Sequence, residues 1–160
     1  MRTIEMRFDE LVTLLPKFKL HAEKTIEEAA LLISNAFKKG NKILICGNGG
    51  SAAEAQHFTT ELIGRFKENR KSLPAISLCS DISAMTCIAN DFGYDAIFSR
   101  QVEGLVKEGD FVFGFTTSGK SKNVIAGLDA ARKMGGVAIL ITGQAPLAVN
   151  DLADIAIQIG

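Results

Sequence analysis

The stretch Lys42-Ile-Leu-Ile-Cys-Gly-Asn-Gly-Gly-Ser51-Ala-Ala-Glu-Ala-Gln-His57-Phe-Thr-Thr-Glu61 constrains the fold more than any other, because it joins an apolar strand to a glycine turn and then to a helix. Lys42 to Cys46 has the short, β-branched apolar pattern of a strand buried on both faces, and the glycines at 47, 49 and 50 end it abruptly. Ser51 and Glu54 have capping-box spacing, which predicts a helix starting near Ala52. The free N–H groups and positive dipole end of such a start attract phosphate. Further along that helix, His57 and Glu61 stand four apart on one face, where an imidazole and a carboxylate can share a metal or a proton. Two plainer readings stand beside these. Gly47-x-Gly49-x-x-Ala52 also fits the permissive dinucleotide fingerprint, and a His/Glu pair at this spacing serves equally as a surface ion pair.

A chain of 160 residues, 47% of them apolar, is enough for one domain with a full core. Lysine plus arginine equals aspartate plus glutamate at 18 each, so no global field favours nucleic acid or an anionic membrane, and any phosphate recognition must be local. Cys46, Cys79 and Cys87 are odd in number and lack Cys-x-x-Cys spacing, which argues against a disulfide framework and a cysteine zinc site. They read as small buried hydrophobes in a reducing compartment. No apolar run approaches the ~20 residues of a membrane span, and the charged N-terminus lacks a signal-peptide core, so the expectation is a cytoplasmic protein without membrane or nucleic-acid partners.

Residues 1–40 read as a helical segment, interrupted near Pro16 and ended by Gly40-Asn41; residues 41–160 then alternate short apolar runs with helical patterns. Strands are expected over 42–46, 75–79, 111–115, 137–141 and 155–159, and helices near 52–67, 82–90, 95–107 and 122–134. This alternation predicts an α/β three-layer sandwich: a five-stranded parallel sheet, Rossmann- or flavodoxin-like, with helices on both faces.

Ligands of open parallel sheets bind beyond the carboxyl ends of the strands, which directs attention to three polar segments. The first is Gly47 to Ser51. The second is Thr116-Thr117-Ser118-Gly119-Lys120-Ser121, whose hydroxyls precede a helix with Ser121 as the expected N-cap and make a neutral phosphate cradle, or an ordinary capping loop. Gly114 to Ser121 also satisfies the Walker A pattern. Its first glycine falls inside the apolar strand, however, and no later strand ends in a magnesium-binding aspartate, so a nucleoside triphosphatase is a minor alternative. The third segment, Asn90-Asp91-Phe92-Gly93, reads by itself as turn chemistry.

Taken together and in this order, the loop Cys46 to Ser51, the pair His57 and Glu61, Asn90-Asp91-Phe92-Gly93, Phe98-Ser-Arg100 and the run Thr116 to Ser121 resemble the sugar isomerase (SIS) domain family, and within it the phosphoheptose isomerases. The resemblance runs from about Ala29 to Gly160. It implies interconversion of sedoheptulose 7-phosphate and D-glycero-D-manno-heptose 7-phosphate on the way to bacterial lipopolysaccharide or capsule. It further implies that Thr116, Thr117, Ser118 and Ser121 bind the phosphate, and that Asn48, Gly49, Gly50, Ser51, Asn90 and Asp91 line the rest of the site. By the same resemblance His57 and Glu61 are zinc ligands, Glu61 doubles as the catalytic base, and the protein is a homotetramer with contacts from the N-terminal helix. Family members continue past the fifth strand into a helix that brings a glutamine and a histidine to the zinc site. This sequence stops at Gly160, so the expectation is a truncated isomerase or a short form with two of the zinc ligands, His21 having no family role. The competing expectations are a non-catalytic SIS module that binds sugar phosphate and a protein partner such as the replication initiator, and a nucleotide-binding oxidoreductase.

Overall fold

The computed structural model describes residues 3–143 and 149–159, so residues 1–2 and 160, the outer ends of the two expected segments, lie outside it. Helix α1, Ile4–Lys38, starts at Thr3, whose hydroxyl accepts from the Met6 amide at 3.4 Å. The interruption expected at Pro16 does not occur. Proline removes one backbone donor, but Pro16 lies on the exposed side and is flanked by leucine and lysine, good helix formers that carry the helix through. Its end is where the sequence places it. Gly40 takes φ +86°, and the Asn41 amide donates back to Ala36 O at 3.0 Å, the pairing that a left-handed glycine permits.

Five parallel strands follow: β1 Ile43–Gly47, β2 Ala75–Ser77, β3 Phe111–Thr116, β4 Val137–Thr142 and β5 Ile155–Gln158, in the order β2-β1-β3-β4-β5. Between them lie α2 Gly50–Ile63, α3 Ile82–Phe92, a 3-10 turn Tyr94–Ala96, α4 Ser99–Leu105, α5 Lys122–Lys133 and the short α6 Val149–Leu152, the last unforeseen. Period-two alternation in β3 shows the three layers directly. Phe113 and Phe115 meet Phe58 of α2 edge to face, whereas Gly114 between them faces Val124 and Leu128 of α5. A Cβ on Gly114 would lie 2.6 Å from Val124 Cγ1, so this glycine is required for helix–sheet packing and does not open a nucleotide loop. Because the order reverses at β1, the loops after β1 and β3 diverge to opposite faces and leave a crevice between them.

Several boundaries differ from expectation for local reasons. Helix α2 begins at Gly50 with Gly49 as N-cap, so Ser51 sits in its first turn and the capping box does not form. The helix stops at Ile63 because the Arg70 guanidinium reaches back to the carbonyls of Glu61 and Leu62, at 2.6 and 2.8 Å, and closes its end. The single helix expected over 95–107 is divided into the 3-10 turn and α4. Strand β2 pairs over three residues only, although Leu78 and Cys79 beyond it are buried. Cys46 and Cys79 are buried as expected, and burial pushes both thiols up, that of Cys46 with help from Cys79 beside it. Cys87 is exposed on α3, contrary to the expected burial of all three, because the face of α3 that carries it is not covered by the sheet. No helix among the described residues is long and apolar enough to cross a membrane.

The amino ends of β1 and β3 are tied by Asp110, which is 1% exposed. It pairs with the Lys42 ammonium and accepts from the Lys42 amide at 3.0 Å, the Lys107 amide at 2.8 Å and Asn41 Nδ2 at 3.3 Å. Burial pushes the Asp110 carboxyl up, but the bonds from Lys42, Lys107 and Asn41 together outweigh it and hold the group below its ordinary value.

Candidate active site

At the carboxyl end of the sheet, Gly47 and Gly49 make the turn into α2. A Cβ on Gly47 would meet the Ser51 carbonyl at 2.6 Å, and Gly49 adopts φ 57°, ψ −119°, a conformation closed to other residues. The turn is held by Ser51 N donating to Asn48 O and Ala52 N to Gly49 O, each at 3.0 Å, while the Cys79 thiol donates to Gly47 O at 3.4 Å. Helix α2 has no side-chain cap, and since the Ser51, Ala52 and Ala53 amides donate to Asn48 O and Gly49 O, the Gly50 amide is the one of its first turn not bonded within the turn.

Across the crevice, the Thr116 and Ser121 hydroxyls bond each other at 3.0 Å, and Ser118 Oγ accepts from the Lys120 amide at 3.2 Å. Ser121 is the N-cap of α5 by position, as expected, yet its side chain makes no capping bond. Its hydroxyl is turned to Thr116, which leaves the Lys122 and Asn123 amides for another acceptor, while the Val124 amide donates to Asn123 Oδ1 at 3.0 Å. Ser51, Thr116 and Thr117 line one cavity of about 280 Å³ with Thr142 and Gly143 at the end of β4. Thr142 was not foreseen as a site residue. Its hydroxyl is buried without a partner, one of two such side-chain atoms among the described residues, and the polar end of an otherwise apolar strand was the available signal.

The second such atom is Glu61 Oε2. Its other oxygen, Oε1, lies 3.3 Å from His57 Nε2, and the histidine is 67% exposed against 32% for the carboxylate. Helix geometry sets His57 about 9 Å and Glu61 about 15 Å along α2 from Ser51, and neither lines the hydroxyl cavity. Asn90 and Asp91 lie in the last turn of α3 and not in a turn, exposed and bonded to each other at 2.7 Å, with Gly93 at φ +88° as the stop. The described residues thus bring Ser51, Thr116, Thr117 and Ser121 together around the loops, and keep His57 with Glu61 and Asn90 with Asp91 as separate pairs. His21 is exposed on α1. A larger cleft of about 550 Å³ lies between α1 and α2, but its lining of Ile33, Phe37, Phe58 and Leu62 offers no convergent polar chemistry.

Zinc can be tested against these donors. No group of three or more His, Cys, Asp or Glu side chains converges on one point among the described residues. His57 and Glu61 supply two donors where catalytic zinc takes three protein ligands, so the described residues do not by themselves fit the metal.

The sequence matches the SIS domain family over residues 8–143. It is 44% identical to a phosphoheptose isomerase from Haemophilus ducreyi over 158 residues, covering 98% of this chain and 81% of the relative. It is 50% identical to one from Aliarcobacter butzleri over 133 residues, covering 83% of this chain and 70% of the relative. The chain belongs to the SIS domain family, among the phosphoheptose isomerases. Its fold agrees. The solved phosphoheptose isomerase from Francisella tularensis superposes with a TM-score of 0.93 at 31% identity, covering 98% of this chain and 84% of that one. This SIS domain has the parallel sheet and flanking helices expected from the sequence, together with the N-terminal helix.

Proposed function

We propose that this chain is an aldose–ketose isomerase that converts sedoheptulose 7-phosphate to D-glycero-D-manno-heptose 7-phosphate, a step toward bacterial lipopolysaccharide or capsule heptose. The observation that carries the reading is the Glu61 carboxylate, one oxygen of which is buried without a hydrogen-bond partner on a helix that begins at the glycine turn. A buried acceptor left unpaired costs stability, and a base waiting for a substrate proton accounts for it. The phosphate would bind at Thr116, Thr117, Ser118 and Ser121 and the open first turn of α5, and the sugar chain at Asn48 to Ser51, Asn90 and Asp91. Glu61 takes the proton from C1 of the ketose while the carbonyl oxygen O2 gains one from solvent, which gives the C1–C2 enediol. Glu61 then returns its proton to C2 while O1 gives its own to solvent, which leaves the aldehyde at C1 and a hydroxyl at C2. The net change is a shift of hydrogen within one molecule, so no redox cofactor is needed.

Zinc enters this proposal only through His57 and Glu61, two donors that need at least one more to hold the metal. A zinc stoichiometry near one per subunit by elemental analysis, lost in His57→Ala, is the expected result. Self-association follows from α1, where Ile4, Phe8, Leu11 and Leu15 recur at heptad-like spacing and are exposed. We assign a homotetramer, and a monomer mass by light scattering would overturn it. The function itself is tested by turnover of sedoheptulose 7-phosphate followed through the aldose product. Appearance of the manno-heptose phosphate is expected; saturable binding with no product would make this SIS domain a sugar-phosphate sensor.

A further inference from the structure

Asn48, Asn123 and Tyr94 come from three segments and meet above the crevice between β1 and β3. The backbone N–H of Val124 donates to Asn123 Oδ1 at 3.0 Å, and because that group can only donate, it fixes which end of the Asn123 amide is oxygen. The remaining assignments follow. Asn48 Nδ2 donates to Asn123 Oδ1 at 2.8 Å, and Asn123 Nδ2 donates to Asn48 Oδ1 at 2.8 Å, a reciprocal amide pair. The Tyr94 hydroxyl then donates to the same Asn48 Oδ1 at 3.0 Å. Both acceptor positions of Asn48 and one of its N–H groups are engaged, which leaves one N–H for a ligand.

Between Gly47 and Ser51, Asn48 is the only residue with a side chain, so apart from the Cys79 thiol on Gly47 O it is the handle by which the rest of the protein grips this turn. Three glycines give the turn wide conformational freedom, and a turn that must present amides to an anion loses affinity if it wanders. Asn123 is 2% exposed and lies in the first turn of α5, directly after the hydroxyl loop. Tyr94 follows the end of α3, which carries Asn90 and Asp91. One set of hydrogen bonds therefore ties together the three polar segments at this end of the sheet.

We propose that Asn123 and Tyr94 are positioning residues of the isomerase site: they lock the 47–51 turn through Asn48 and restrict Asn48 to a single N–H donor toward the sugar phosphate. The inference rests on the function proposed above. The test compares kcat and KM for sedoheptulose 7-phosphate in Tyr94→Phe, Asn123→Ala and Asn48→Ala, and in Tyr94→Phe and Asn123→Ala each combined with Asn48→Ala. Tyr94→Phe should raise KM by about 5-fold, the effect of one neutral hydrogen bond, with kcat and thermal midpoint unchanged. In the Asn48→Ala background the same change should have no effect, because its route to the site is gone. An equal rise in KM in both backgrounds would overturn the proposal and place Tyr94 against the sugar itself. Asn123 is buried, so its variant also reports on folding; Tyr94 is 56% exposed, and its variant keeps the fold. If the unsubstituted protein does not turn over the sugar, the proposed function fails while the lock remains testable by hydrogen exchange of the Asn48 side-chain amide. Slow exchange that accelerates in Tyr94→Phe supports the lock, and exchange at the rate of a free amide in the unsubstituted protein overturns it.

Discussion

The two ends of the sheet treat polar groups in opposite ways. At the amino end, Asp110 is buried and saturated: both oxygens are engaged by Lys42, Lys107 and Asn41, and the result is a clip between β1 and β3. At the carboxyl end Thr142 Oγ1 is buried with no partner, and from there α2 carries a second such atom, Glu61 Oε2. Both arrangements remove polar atoms from water, which costs free energy unless hydrogen bonds are supplied. The saturated end recovers that cost within the chain. At Thr142, and at Glu61 near the far end of α2, the cost is left unrecovered, which is what groups placed to bind something else look like.

The sharpest way to break this comparison is to substitute the unpaired group and the paired one in turn. Glu61→Gln keeps the shape but removes the base, so kcat for the sugar phosphate should fall by roughly 10²–10⁴-fold while the thermal midpoint stays within about a degree or rises. Unchanged turnover would remove Glu61 from the reaction. Asp110→Ala should do the reverse, with loss of about 3 kcal/mol of unfolding free energy in urea and little change in activity per folded molecule. A neutral effect on stability would mean that the clip contributes nothing net. The smallest effect is in acid. The Asp110 carboxyl is held below its unfolded value of about 3.9, so its contribution is full above that pH and is lost as pH falls through the folded value. Unfolding free energy should therefore fall less steeply below pH ~4 in Asp110→Ala than in the unsubstituted protein, and parallel curves would contradict the assignment.

Much of the fold was legible because it follows from periodicity. The strands lie within a residue or two of their apolar runs, except that β2 is short. The glycine after α1 ends that helix through its left-handed φ. Two boundaries of α2 differ for separate reasons: Arg70, beyond the helix, stops it, and the backbone conformation of Gly49 starts it before the serine that looked like its cap. In the site, the hydroxyls and the His57–Glu61 pair were readable from residue type and spacing. Asn123 was not, since nothing local distinguishes a buried asparagine in a helix from any other, and for Thr142 the one signal was a polar residue at the end of an apolar strand.

By itself the sequence determined the alternation of strands and helices, the glycine turn and the inventory of polar groups at the strand ends, because these depend on contacts between neighbours along the chain. The tertiary structure alone decided which polar groups are satisfied. Asp110 finds Lys42 across 68 residues and Asn48 finds Asn123 across 75, whereas Glu61 and Thr142 each keep an oxygen unpaired. Hydrogen bonding is short-ranged and directional, so whether a buried atom has a partner is fixed only when the strands and helices have packed.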